Sequence, residues 1–285
     1  MRIPVFWKPS ARRALGGDTQ EPVLHQAISQ LCTQAQCESP QYAYWCEQIR
    51  ETPRLHRKQW EYCYILQVLE QSGMLAAGRS GMGFGVGREP LTAVMAARGC
   101  TILASDMDAQ ASTAQGWVGT NQHAGALEQL NERGICDAAR FKASVRYRTV
   151  DMNRLPGDEG DFDFLWSSCA LEHLGSLRHG LDYIERSMAL LRPGGLAVHT
   201  TEYNVASNIF TLSRGGTVLY RRRDILGLAD RLRAQGHHIE LNLHPGGGPM
   251  DKHVDVPPYG PDPHLKLRVS RFAATSIGLA IRKAG

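Results

Sequence analysis

The sequence predicts an α/β fold built on a mostly parallel sheet and preceded by a helical segment. Three observations carry that expectation. From Gly78 onward, short apolar runs of strand length alternate with amphipathic stretches, the texture of parallel strands joined by crossover helices. A glycine-rich loop, GFGVGREPL (83–91), follows the first of these runs and opens a helical pattern. The last two of seven strand-like runs have no helical pattern between them, which predicts an antiparallel hairpin at the sheet edge.

In chain order, residues 1–75 read as a helical cap on the substrate side. VLHQAISQLCTQA has helical spacing, and HRKQWEYCYILQVLEQSG repeats it through Trp60, Tyr64, Leu66 and Leu69. Residues 76–285 then form the α/β domain. Its strands are GMGFGV (81–86), TILASD (101–106), VRYRTVD (145–151), DFLWSS (163–168), LAVHTTE (196–202), HHIELNL (237–243) and TSIGLAIRK (275–283). Helical patterns fall at REPLTAVMAARG, DAQASTAQGWVG, ALEQLNERG and GLDYIERSMALL. A further helix, ILGLADRLRAQG, starts after the N-cap Asp224 and ends at a glycine. HPGGGPMDKHVDVPPYGPDPH (244–264) is dense in Gly and Pro and too long for a turn, so a lid insertion is expected over 244–272.

Composition excludes several classes. With 285 residues, 42% of them hydrophobic and 21% charged, the chain is neither disordered nor fibrous, and it buries enough surface to need no disulfide or structural metal. The longest apolar runs fall far short of a membrane span. The opening MRIPVFWKPSARR is interrupted by Pro4, Lys8 and Pro9 and lacks the apolar core of a secretory signal, so a cytoplasmic location is expected. Seven cysteines without a CxxC argue for reduced thiols. A formal charge of +4 with no concentrated basic stripe gives no warrant for a nucleic-acid partner and leaves acidic small molecules open.

In the glycine loop, Gly85 and Gly87 allow a tight turn and a close backbone approach to a ligand facing a helix N-terminus. Asp106 ends the second strand 21 residues after Gly85, where a nucleotide-binding α/β protein places a carboxylate for ribose hydroxyls. The plainer alternative is a simple turn, with Asp106 capping the next helix.

With GFGVGREPL, ILASDMD, YRTVDMNRLP, FDFLWSSCALEHL and LLRPGGLAVHT in place, the chain from Gly81 onward resembles the class I S-adenosylmethionine-dependent methyltransferases, in their small-molecule branch. The resemblance implies a Rossmann-like seven-stranded sheet with an antiparallel last strand and S-adenosyl-L-methionine as cofactor. It implies that Gly85 and Gly87 face the methionine part, that Asp106 holds the ribose, that Asp151 and Met152 border the adenine, that Ser168 sits near the cofactor, and that Val86 and Met107 are further cofactor contacts. Two departures stand out: the acidic residue often found within strand one is replaced by Gly83, and the third glycine of the loop is Glu89, preceded by Arg88. Arg88 is a candidate partner for the cofactor carboxylate, with a solvated helix-start arginine as the alternative.

The acceptor side belongs at the carboxyl ends of strands four and five, where ligands bind in open α/β sheets. Glu202 ranks first as a substrate-orienting or proton-accepting carboxylate, ahead of His173. His253 is a further base candidate, because Asp251, His253 and Asp255 alternate along an extended segment. Trp60, Tyr62, Tyr203, Asn204 and Tyr259 are the expected substrate contacts. No metal is expected, since no HxH or HxxxH pair pins a coordination geometry. Arg50, Arg54, His56, Arg57 and Lys58, and the triple arginine 221–223, read either as a grip on a substrate anion or as solvated helix faces. The expected function is methyl transfer to an oxygen or nitrogen of a small polar, anionic metabolite or glycan-like acceptor, with a homodimer allowed and no membrane partner. NAD(P)-dependent oxidoreduction and a non-catalytic cofactor-binding subunit are the alternatives.

Overall fold

The computed structural model describes residues 20–107, 127–155 and 160–285. The opening segment and the helix expected over DAQASTAQGWVG lie outside the described residues.

Among the described residues, a sheet of ten strands organises the fold. Its parallel half comprises β2 (Ser80–Phe84), β3 (Thr101–Asp106), β4 (Val145–Thr149), β5 (Phe162–Ser168) and β6 (Leu191–Asn204), in the order β4-β3-β2-β5-β6. The long β10 (Phe272–Arg282) pairs antiparallel to β6 along Leu196–Asn204, as the resemblance implied, but it lies inside the sheet and not at the edge where the hairpin was expected. The run 237–243, read as one strand, is instead two short pieces with different partners. β7 (His238–Ile239) pairs antiparallel to β10, whereas β8 (Leu241–Asn242) pairs parallel to β1 (Ser29–Leu31). β1 itself pairs antiparallel to β10, so part of VLHQAISQLCTQA is a strand and not a helix. Its residues Ser29–Leu31 are all buried, and the sheet edge overrode the helical spacing. β9 (Leu267–Val269) completes a short hairpin with β10.

Helices cover both faces, which is why the central strands are buried along most of their length. Along β5, Phe164 and Trp166 join the core under α2 (Pro40–Gln48), α3 (Arg57–Gln71) and α4 (Leu91–Ala97), while Leu165 joins the core on the opposite face. That second core is closed by α6 (Leu177–Ser187) and α7 (Arg222–Ala234). Among the described residues, the short α1 (Gln34–Cys37) and α5 (Ala138–Ser144) are the remaining α-helices before α6. α3 is buried over almost its whole length, with Trp60, Cys63, Tyr64, Leu66, Val68 and Leu69 fully inside. It packs on β5, β6 and β10, so the N-terminal segment is part of the sheet's cover.

The segment expected as a lid carries one short helix, α8 (Pro249–Lys252), and is docked onto the start of α3. His264 Nδ1 pairs with Asp255 Oδ2 at 2.6 Å, and its ring stacks on His56 at 4.7 Å between centroids. The backbone amide of Arg57 donates to the His264 carbonyl, and His264 N–H donates to the Leu55 carbonyl. No helix of the described residues is long and apolar enough to cross a membrane.

Candidate active site

A cavity of about 310 Å³ opens at the carboxyl ends of β2, β3 and β5, where the sheet chemistry predicts a ligand. Its wall comes from three places. The loop after β2 gives Gly85, Val86, Gly87, Arg88 and Glu89; β3 gives Asp106; the end of β5 and its following turn give Ser168, Cys169, Ala170 and His173. The first two turns of α3 add Lys58 and Tyr62.

Local sequence explains the cradle. Gly85 and Gly87 have φ of 58° and 48°, the left-handed region that a side chain makes costly. A Cβ on Gly85 would also stand 2.9 Å from Ala170 Cβ and 3.7 Å from Met152 Sδ. Asp106 is aimed at this turn, accepting from the Gly87 amide at 3.0 Å and from the Met107 amide at 2.8 Å. Loop and carboxylate are therefore one unit with the shape and polarity that a nucleoside cofactor requires, and the residues fit S-adenosylmethionine.

Of the expected cofactor contacts, Gly85, Val86, Gly87, Arg88, Asp106 and Ser168 meet on the cavity wall. Arg88 is already ion-paired to Glu132, which turns it along the rim. Met152 is buried and supports the loop from behind, and exposed Asp151 accepts from its neighbour Asn153 at 2.8 Å. Among the expected acceptor contacts, Tyr62 and His173 lie on the wall, and the others lie elsewhere. Trp60 is a core residue, fully buried and stacked on Tyr64 at 4.9 Å. Tyr203 is buried in the opposite core. Asn204 spends its amide on the loop that follows it, donating to Phe210 O and accepting from Ala206 and Ser207. Tyr259, exposed in the lid, donates to Arg268 O, and His253 is exposed at the end of α8. Of the triple arginine, Arg221 closes on Asp224 at 2.7 Å and caps α7.

Glu202 takes a different place from the one its sequence position suggested. It is buried behind the cavity wall, its Oε1 2.6 Å from Arg57 Nη2. Arg57 Nη1 also reaches Glu61 at 3.4 Å and Ser276 Oγ at 3.2 Å. Glu61 accepts from Thr200 at 3.1 Å and Ser168 at 3.4 Å, and Glu172 accepts from Thr201 at 2.9 Å and from the Cys169 thiol. Burial pushes the Glu202 carboxyl up; Arg57 pulls it back, and the nearby Glu172 pushes it higher again. For Glu172, burial is outweighed by His173, Lys58 and the Cys169 hydrogen bond, so its carboxyl lies below the ordinary range. Cys169, Glu172 and Glu202 bring potential metal-ligand atoms within 4.8 Å of one another, yet Arg57 already supplies the cationic partner there.

Sequence reasoning missed Glu89, Cys169 and Ala170 as wall residues and left Lys58 between a grip on a substrate anion and a solvated helix face. Lys58 and Glu89 were visible as charges flanking Tyr62 and the glycine loop, but a charge on a helix start reads first as solvated. Cys169 follows Ser168 at φ 51°, a strained backbone that places it on the wall and that no composition signal announces.

The methyltransferase-domain family matches residues 82–199. A malonyl-[acyl-carrier protein] O-methyltransferase from Enterobacter lignolyticus is 31% identical over 72 residues, 25% of this chain; the chain thus spans little more than a quarter (28%) of that relative. A magnesium protoporphyrin IX methyltransferase from Synechocystis, solved with S-adenosylhomocysteine, superposes with a TM-score of 0.47 at 12% identity, over 84% of this chain and 92% of that one. A phosphoethanolamine N-methyltransferase from Haemonchus contortus gives 0.43 at 19% identity, over 66% and 40%. The glycine cradle, Asp106 and the β5 wall all lie inside the segment that matches the methyltransferase-domain family.

Proposed function

We propose that the protein transfers a methyl group from S-adenosylmethionine to an oxygen or nitrogen of a small, polar, anionic acceptor, a metabolite or glycan-like molecule. The observation that carries this reading is the composite cavity, in which the cofactor cradle of Gly85, Gly87 and Asp106 faces Lys58 and Tyr62 from α3. A lysine at the mouth of a site favours an anionic acceptor.

The cofactor supplies an activated methyl on a sulfonium, so the protein's share is to align the acceptor atom and, where needed, remove its proton. His173 is the residue this reading assigns to the second task. Its Nδ1 lies 2.6 Å from the Gly216 carbonyl, which can only accept, so Nδ1 carries the proton and Nε2 is the basic nitrogen. Glu172 Oε1 stands 3.9 Å from Nε2 and stabilises the charged ring after proton uptake. Glu202 acts through Arg57 and Glu61 as a positioning residue for α3.

Calorimetric titration of the cofactor-free protein tests the reading. S-adenosylhomocysteine is expected to bind in the micromolar range while NAD gives no heat. Absence of S-adenosylhomocysteine binding would overturn it.

A further inference from the structure

Strand β2 lacks an acidic side chain at Gly83, and the structure shows what occupies the space instead. A Cβ on Gly83 would stand 2.3 Å from the ring of Trp166 on the neighbouring β5. The indole therefore lies where a side chain from β2 would project, and its Nε1 donates to Glu89 Oε1 at 2.7 Å. Glu89, 6% exposed, stands on the cavity wall two residues beyond Gly87.

On that wall the carboxylates are Asp106 and Glu89. Asp106 is engaged on both oxygens by the amides of Gly87 and Met107. Glu89 is held by a neutral indole, and burial, reinforced by Asp106 and Glu61, pushes its carboxyl well up against the pull of Trp166 and Lys58. A buried carboxyl in that condition gains most from an incoming cation that also donates hydrogen bonds. The cofactor offers two cations, and of these the α-ammonium donates hydrogen bonds whereas the sulfonium has none to give.

We infer that Glu89 receives the α-ammonium of the cofactor's methionine part, oriented by Trp166 through the space that Gly83 leaves open. The inference rests on the cofactor reading above and names a binding residue from the loop in place of one from the strand. Glu89→Gln keeps the volume and can still accept from Trp166, so it isolates the charge.

Calorimetry with two ligands tests it: S-adenosylhomocysteine, which carries the amino acid, and methylthioadenosine, which ends just past the sulfur and has no ammonium. Glu89→Gln is expected to weaken S-adenosylhomocysteine at least tenfold and to leave methylthioadenosine within twofold. Trp166→Phe, which fills the space without the N–H, is expected to shift binding in the same selective direction by less. Unchanged S-adenosylhomocysteine affinity in Glu89→Gln, or an equal loss of both ligands, overturns the inference. A wild-type protein that binds neither ligand would instead sink the cofactor reading, a result distinguishable from either.

Discussion

Arg57 and Glu202 meet at 2.6 Å with side chains only 7% and 6% exposed, joining the first turn of α3 to the end of β6. Through Arg57 the pair is continuous with Glu61, which holds Ser276 on β10 and Thr200 on β6. The helix that carries Lys58 and Tyr62 to the cavity is thus pinned at its start by buried charge.

Removing one member should be costly. Glu202→Ala leaves Arg57 buried with one carboxylate fewer, and a loss of about 3–5 kcal/mol is expected from urea unfolding. Replacing both partners, as in Arg57→Met with Glu202→Leu, should recover at least half of that loss. A single Glu202→Ala variant as stable as wild type would show that the pair does not anchor α3.

Asp106 should act on binding. Asp106→Ala is expected to weaken S-adenosylhomocysteine about 10–100-fold, the range of one or two hydrogen bonds to a charged group. An unaltered dissociation constant would remove Asp106 from the cofactor site.

Gly83 should tolerate no side chain. Gly83→Ala drives a methyl into the Trp166 ring, and overpacking of this kind costs about 1–3 kcal/mol. Combining it with Trp166→Leu should recover part of the thermal midpoint. Additive losses in the double variant would contradict the contact.

Acid stability should depend on His199. Its ring is fully buried on β6, with Nδ1 2.8 Å from Ser167 Oγ, and burial lowers its pKa from the ordinary 6.5 to about 3. The unfolded chain takes up that proton near pH 6.5 and the folded one does not, so this contribution is intact above pH 6.5 and is lost as the pH falls from there towards 3. Between pH 6.5 and 4.5 the loss is roughly 2–3 kcal/mol. His199→Gln should show a shallower fall in unfolding free energy across that window. Parallel pH profiles for the two proteins would rule His199 out as the source.

His173 should affect turnover more than binding. With an identified acceptor, His173→Gln is expected to lower kcat by about 10²-fold or more while S-adenosylhomocysteine affinity stays within a few-fold. An equal effect on both would mark it as a cofactor contact.

The cofactor half was legible because its signals are local. The turn at Gly85 and Gly87 and the acid ending TILASD are matters of neighbouring residues, and the structure brings them into one wall. The acceptor half was read less well. Trp60, an aromatic beside a basic run, is core, and Asn204, at a strand end, is committed to its own loop. Periodicity says that a helix has a buried face but not which neighbour buries it. In α3 nearly every face is buried, so no amphipathic contrast marked the residues that reach the cavity.

By itself the sequence determined the α/β class, the parallel strands with an antiparallel last one, and the glycine loop with its carboxylate, because strand alternation and turn chemistry act over a few residues. Tertiary structure alone decided that Ser29–Leu31 joins the sheet, that Arg57 binds Glu202 behind the wall, and that Trp166 donates to Glu89 at the cavity wall. Those contacts join residues 77 to 251 positions apart. Their energies depend on burial and on the dielectric that packing creates, which no local pattern encodes.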